Sequence, residues 1–347
     1  MKRVKIPGNR YAIQVPKDSA FRIDTPDDQI KMHALVFAIA KRGGGKTVAL
    51  TSLLKSLQRD KALDRLLVIS PTWGSNKNMF DGLPVSEDDV YHETDASVVD
   101  DIVMKVKKEM DMYTEYTEKM KLRQQMLKAL KATHSESDVY KINPQLMIDC
   151  FNYDIIGQDP PPHKWGGKRP VMALLVDDAQ GSKLFGSAKF QNLCLRHRHL
   201  GDGLGLTIMM ACQTFKAQTG GMPVAIRDNT THMLLFPTRN RESLKNVIKE
   251  VSDDIGEEEF LSAFDTATKE GDHDFLFVDF HPKIPGRKFR KNFDEYIIPP
   301  ENGVAAADGD GSAGAGGVAA TGTKRDAAGL PVGDAGGRNA GKLPARR

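Results

Sequence analysis

Between His33 and Leu57 the chain reads HALVFAIAKRGGGKTVALTSLLKSL, and no other stretch restricts the possible folds so tightly. An apolar run, ALVFAIA, gives way to a loop too rich in glycine for either regular element, and then to an amphipathic helical pattern. Glycine at 43, 44 and 45 lets successive backbone N–H groups turn toward one anion, where Cβ atoms would obstruct both the turn and the approach. The start of the following helix adds partial positive charge at the same point. Lys46 can then reach the β- and γ-phosphates of a nucleotide, and the Thr47 hydroxyl can ligate magnesium. The P-loop pattern G-x-x-x-x-G-K-[ST] is met except at its first glycine, where Ala40 stands. Alanine fits there if its φ is negative. The expected cradle for ATP and Mg²⁺ is therefore Ala40, Lys41, Arg42, Gly43, Gly44, Gly45, Lys46, Thr47 and Val48.

The rest of the chain supplies a sheet for this loop to sit on. Further apolar runs, RLLVIS, VMALLVDD, LTIMMACQ, HMLLFP and DFLFVDF, read as buried strands of the parallel type. Helical patterns follow several of them, over Lys46 to Leu57, Phe190 to Arg198 and Asn240 to Val251. The alternation predicts an α/β fold with a mostly parallel central sheet flanked by helices, spanning 31–300. Residues 1–30, with RYAIQV and AFRID around prolines, are expected to form a small β-rich lead-in. A charged helix or helical pair is expected as an insertion over about 96–133, between the second strand and VMALLVDD. Residues 301–347 are Gly/Ala-rich with almost no large apolar side chain, and are expected to be a disordered tail.

Asp177 and Asp178 end the apolar run VMALLVDD, and acids at the carboxyl end of a central strand lie on the ligand side of an α/β sheet. Asp177 is placed to hold magnesium, and Asp178 to polarise an attacking water. A helix N-cap accounts for one such acid but not for two. Gln213, at the end of the next apolar run, can contact the γ-phosphate or the water.

Composition excludes several classes. Net charge is only +3, so any nucleic-acid-facing charge has to be local. Cys150, Cys194 and Cys212 form no CxxC pair, which argues for a reducing compartment and against a cysteine-bound zinc. His197 and His199 lack an acid or cysteine at metal-ligand spacing. With no apolar run of 18 residues and no signal pattern at the N-terminus, neither a membrane span nor secretion is expected.

Taken in order, AKRGGGKT, LLVDDAQ, LCLRHRHLGDGLGLTIMMACQTF and MPVAIRDNTTHMLLF resemble the FtsK–HerA superfamily of ATPases, and among them the poxvirus-type genome-packaging ATPases of large DNA viruses. The resemblance covers roughly His33 to Phe236. It implies a P-loop NTPase of the ASCE, RecA-like kind, with Mg²⁺ on Asp177, a catalytic base at Asp178 and a sensor at Gln213. It also implies a ring of five or six copies, in which an arginine reaches the neighbouring subunit's γ-phosphate. Arg196 or Arg198 is the first candidate and Arg227 the second. The implied partners are double-stranded DNA, gripped without sequence preference, and capsid vertex proteins, in a virion or host cell interior. DNA-facing loops are sought at Lys183 and Lys189 with Phe185 and Phe190, and at Lys216. Three other readings fit the motifs: a small-molecule phosphotransferase with 96–133 as a lid, a DNA pump of a cell or mobile element, and an ATP-binding switch.

Overall fold

The structure is a computed structural model, and it describes residues 23–155, 159–215, 222–238, 241–251 and 256–298. RYAIQV, Lys216 and the expected tail at 301–347 lie outside the described residues. Nine strands form one sheet: β1 (Leu35–Ile39), β2 (Arg65–Ile69), β3 (Val90–Tyr91), β4 (Met172–Val176), β5 (Thr207–Cys212), β6 (His232–Leu235), β7 (Leu276–Asp279), β8 (Phe289–Lys291) and β9 (Glu295–Ile297). The main helices begin with α1 (Lys46–Arg59), then one-turn α2 (Trp73–Asn76), α3 (Ser97–Lys131), α4 (Glu136–Val139) and α5 (Pro144–Asn152). There follow α6 (Lys183–Gly186), α7 (Ala188–Arg196), α8 (Leu200–Gly203), α9 (Val224–Arg227), α10 (Arg241–Val251) and α11 (Glu257–Thr268).

The sheet order is β3-β2-β4-β5-β1-β6-β7-β8-β9. The first six of these strands pair in parallel, as expected for apolar runs joined by helical crossovers. One strand, β5, lies between the strand that feeds the glycine loop and the strand that ends in the paired acids. That order defines an ASCE-type P-loop α/β sheet. β7 differs from expectation. It runs antiparallel to β6 and opens an antiparallel extension through β8 and β9. The residues between β6 and β7 carry α10 and α11, and the chain re-enters the sheet beside β6 in the reverse direction.

Alternation divides the core. Leu35 and Phe37 of β1 join Met172, Leu174 and Val176 of β4 on one face, with α3 and α7. Val36 and Ala38 join Ala173 and Leu175 on the other face, against α1. Leu50, Leu53, Leu54 and Leu57 hold α1 there, each contributing about 2 kcal/mol of burial. Ahead of β1, residues 23–34 form no strand, and residues 1–22 of the expected β-rich lead-in lie outside the described residues. They pack on α1 instead, with Ile30 buried and Gln29 Nε2 donating to Ser56 Oγ and Asp60 Oδ2.

The charged insertion is one continuous helix, α3, of 35 residues and about 52 Å. Its N-terminal half is buried through Val98, Val99, Ile102 and Val106, and it is pinned by a charge cluster at Glu109. Arg65 Nη1 donates to Glu109 Oε1 at 2.6 Å, Lys164 Nζ to the same oxygen at 2.9 Å, and Trp165 Nε1 to Oε2 at 2.6 Å. Arg65 also forks onto Asp89 through Nε and Nη2. Burial opposes the charge on Glu109, but its three donors hold the carboxyl below the usual range. Glu109→Ala, which strands these donors, is expected to destabilise the protein by about 3 kcal/mol in urea unfolding. For Glu109→Gln the deficit shrinks as pH falls through the depressed range of Glu109, because the native charge state is lost there anyway.

Candidate functional site

At the carboxyl end of β1 the chain turns through Gly43 at φ 76° and Gly45 at φ 91°, a region that penalises any side chain, and enters α1 at Lys46. Ala40 does not take a positive φ, which is the condition under which alanine replaces the usual glycine. Its methyl has a consequence at 44. A Cβ added to Gly44 would sit 2.8 Å from the Cβ of Ala40, so the loop closes only with glycine there. Lys41, Arg42, Gly43 and Val48 are exposed, while Gly44 to Thr47 are half-buried.

Lys46 Nζ folds back over the loop, donating to the carbonyls of Ala40 at 2.9 Å and Lys41 at 3.1 Å. Desolvation lowers its pKa, opposed by the charge of Asp177. Thr47 Oγ1 donates to Asp177 at 3.1 and 3.0 Å from the two carboxylate oxygens. Asp177 is buried at 4% exposure and its pKa is raised, first by burial and also by Asp178, against the hydrogen bond from Thr47. A buried carboxylate beside a hydroxyl is a hard oxygen donor set that gains from a cation, which suits Mg²⁺. Among the described residues no three His, Cys, Asp or Glu side chains converge on a metal position. Magnesium commonly takes only one or two protein ligands and completes its shell with phosphate and water.

Asp178 leaves β4 in the left-handed region, at φ 53°, and is exposed. Asp and Asn tolerate this conformation better than other residues with a Cβ, so Asp178→Asn is a fold-conserving probe. Gln213, at the end of β5, is exposed and lines a cavity of about 240 Å³ with Ala40 and Lys41. Its backbone is fixed by a residue that sequence reasoning missed. Gln180 Oε1 accepts from the backbone N–H of Gln213 and of Thr214, and Gln180 Nε2 donates to Thr214 O at 3.0 Å. The acid-bearing loop and the end of β5 are thereby tied together.

The arginines lie elsewhere. Arg196 and Arg198 are exposed and flank His197, whose Nε2 is 3.3 Å from the carbonyl of His33 at the entry to β1. They lie by the amino ends of β1 and β5, whereas the glycine loop leaves the carboxyl end of β1, one strand length of about 17 Å away. They cannot serve the phosphate site of their own chain. Arg227 is buried at 7% exposure with its guanidinium over the Phe215 ring, 5.4 Å from the centroid. That packing takes it out of the set of exposed candidates for a neighbour's site. Phe185 and Phe190 are likewise corrected: both are buried core residues in edge contact at 5.4 Å, not loop residues facing DNA. Lys183 and Lys189 are both exposed, and Lys189 pairs with Asp100 on α3. His197 is buried, its Nδ1 2.6 Å from the carbonyl of Cys194, and burial lowers its pKa.

No protein-family model matches the chain. No curated protein matches it either. Among solved structures it is similar to EssC (ATPases 2 and 3) from Geobacillus thermodenitrificans, at 13% identity and a TM-score of 0.40, covering 83% of this chain and 46% of that one. It is similar to the cytoplasmic domain of the type VII secretion ATPase EccC of Thermomonospora curvata, at 14% identity and a TM-score of 0.35, over 77% of this chain and 25% of that one. It is also similar to the genome-packaging NTPase B204 of Sulfolobus turreted icosahedral virus 2 in complex with AMPPCP, at 10% identity and a TM-score of 0.40, over 76% and 97%. The chain thus spans about half the length of the solved EssC chain and a quarter of the solved EccC chain. No helix among the described residues is long and apolar enough to cross a membrane.

Burial of Asp177 has a measurable cost without ligand. Its native pKa exceeds the unfolded value, so its contribution to stability falls as pH rises between the two. Asp177→Asn, which keeps an acceptor for Thr47, is expected to raise the melting temperature at pH 7 without nucleotide or metal, and to abolish Mg²⁺-dependent nucleotide binding. A melting temperature lower than wild type would contradict this account.

Proposed function

We propose that the chain is an FtsK–HerA-type ATPase that drives double-stranded DNA, packaging a viral genome into a capsid as a homo-oligomeric ring of five or six subunits. The observation that carries the proposal is the Lys46, Thr47 and Asp177 constellation, with Asp178 and Gln213 around it, on a sheet with one strand between loop and acids.

In this reading the glycine-loop N–H groups and Lys46 bind the phosphates of ATP. Lys46 gives up its bonds to the Ala40 and Lys41 carbonyls to do so. Thr47 and Asp177 hold magnesium, which supplies charge neutralisation at the phosphates when bound. Asp178 polarises the attacking water, and Gln213, held by Gln180, contacts the water or the γ-phosphate. Because Arg196 and Arg198 are exposed and flank a residue held at the entry to β1, away from their own loop, the reading assigns them to the next subunit's transition state. DNA is gripped through its phosphates, without base readout, and Lys183 is the exposed cation nearest the acids in sequence. Capsid vertex proteins would dock the motor, in a virion or host cell interior. The phosphotransferase reading needs 96–133 as a lid. The buried charge cluster at Glu109 and the packing of α3 on the sheet face opposite α1 favour a fixed strut instead.

Steady-state hydrolysis of Mg-ATP with and without long duplex DNA tests the proposal. DNA is expected to stimulate wild type, while Asp178→Asn binds ATP without turnover. Arg196→Ala and Arg198→Ala are expected to be inactive alone and restored when mixed with Lys46→Ala chains, which supply the arginines in trans. Turnover indifferent to DNA but dependent on a small phosphate acceptor would replace the motor with a kinase. Gln180→Ala should keep ATP affinity while turnover falls about tenfold to hundredfold, since it loosens positioning rather than binding. Lys183→Ala is expected to reduce the salt slope of DNA binding by about one, and an unchanged slope removes it from the DNA path.

A further inference from the structure

A cavity of about 890 Å³ opens beside the glycine loop, a volume suited to a nucleotide-sized ligand. The loop and α1, from Gly43 to Ser56, form one wall. Neither Asp177 nor Asp178 lines it. The bond from Thr47 to Asp177 sets the direction of a bound triphosphate, with its γ end toward β5 and β4. The nucleoside must then leave on the other side of β1, over β6 and β7, where the cavity lies.

The far wall comes from the antiparallel extension and from the residue after β6. Phe236 rests on Phe275 at 4.8 Å between centroids, and Phe275 on Phe293 at 5.0 Å. His273 also lines the cavity, exposed, with its Nδ1 3.6 Å from where a Cβ on Gly45 would be. Phe236 Cε1 is equally close to that point. The neighbouring Asp274 is held in place: Oδ1 accepts from Asn292 Nδ2 at 3.0 Å, and Oδ2 is 3.6 Å from Lys291 Nζ. Asn292 is itself fixed, its Oδ1 accepting from the Phe275 N–H at 3.1 Å. The bond from Asn292 holds the Asp274 carboxyl below the usual range, so near neutral pH it only accepts hydrogen bonds.

We infer that His273 and Asp274 form the base subsite, His273 stacking on a purine ring and Asp274 accepting from its 6-amino group. The inference rests on the proposed reading that the glycine loop binds a nucleoside triphosphate. Facing the 6-substituent, an acceptor-only group favours adenine over hypoxanthine or guanine, whose 6-oxo group is also an acceptor and whose N1–H donor lies one ring position away. Stacking on His273 is indifferent to that distinction, because every base has a π-face. The two residues therefore do separable work.

Calorimetric titration of the full chain with Mg²⁺ and ATP, ITP or inorganic tripolyphosphate tests this. Wild type is expected to prefer ATP to ITP and to bind tripolyphosphate through the loop alone. His273→Ala should weaken ATP and ITP alike, by about tenfold, and leave tripolyphosphate unchanged. Asp274→Asn, which keeps an acceptor for Asn292 and adds a donor, should shift preference toward ITP, again with tripolyphosphate unchanged. Wild-type indifference between ATP and ITP, or variants with the wild-type ratio and affinity, would overturn the subsite. So would loss of tripolyphosphate binding in both variants, which would make the two residues supports of the loop. The underlying reading fails in a different way: wild type binds none of the three ligands, or Lys46→Ala binds all of them as wild type does.

Discussion

The hydrogen bond from Thr47 to Asp177 joins two parts of the chain 130 residues apart. Thr47 belongs to the first turn of α1, and Asp177 to the end of a strand two places away in the sheet. The bond forms because β5 sits between β1 and β4 in parallel register, bringing all three carboxyl ends to one edge. Every other feature of the site takes its position from that edge: the glycine loop above β1, Gln213 at the end of β5, and Asp178 just beyond Asp177. On the proposed reading the same bond gives the site a direction, with phosphate chemistry on the β4 side and the large cavity on the β6 side.

Stability and chemistry pull against each other at Asp177. The strand that carries it is buried at every position, and the carboxylate inherits that burial. Water is excluded and charge is disfavoured, which costs stability in the free protein and strengthens the site's demand for a cation. The remainder of the fold absorbs this cost through ordinary means, the leucines of α1 on one face and the aromatic and aliphatic cluster under α3 and α7 on the other.

What the sequence made legible was local. The glycine loop, its flanking strand and helix, and the paired acids all advertise themselves within a few residues of chain. Pairing partners far apart did not. Gln180 meets Gln213 and Thr214 from 33 and 34 residues away, and Arg65 meets Glu109 from 44. Apolar runs of four or five residues look alike whether their neighbours run parallel or antiparallel, so β7 read like β6. Phe185 and Phe190 lie in a segment with the composition of a loop, and only their edge contact reveals them as core. Arg227 stood in a motif that reads as catalytic, while its guanidinium lies over the Phe215 ring. His273 and Asp274 carried no signal at all, because the wall they form exists only once the sheet turns back on itself.

The placement of Arg196 and Arg198 by the amino end of β1, away from their own glycine loop, has an economic meaning for whatever cell contains this protein. On the proposed reading a solitary chain owns a complete set of groups for holding ATP and an incomplete set for splitting it. Newly made copies would load with fuel and idle, however many accumulate, until a neighbour arrives in the correct orientation. Assembly itself is then the ignition, and no separate inhibitor is needed to keep stray subunits from draining the host's nucleotide pool.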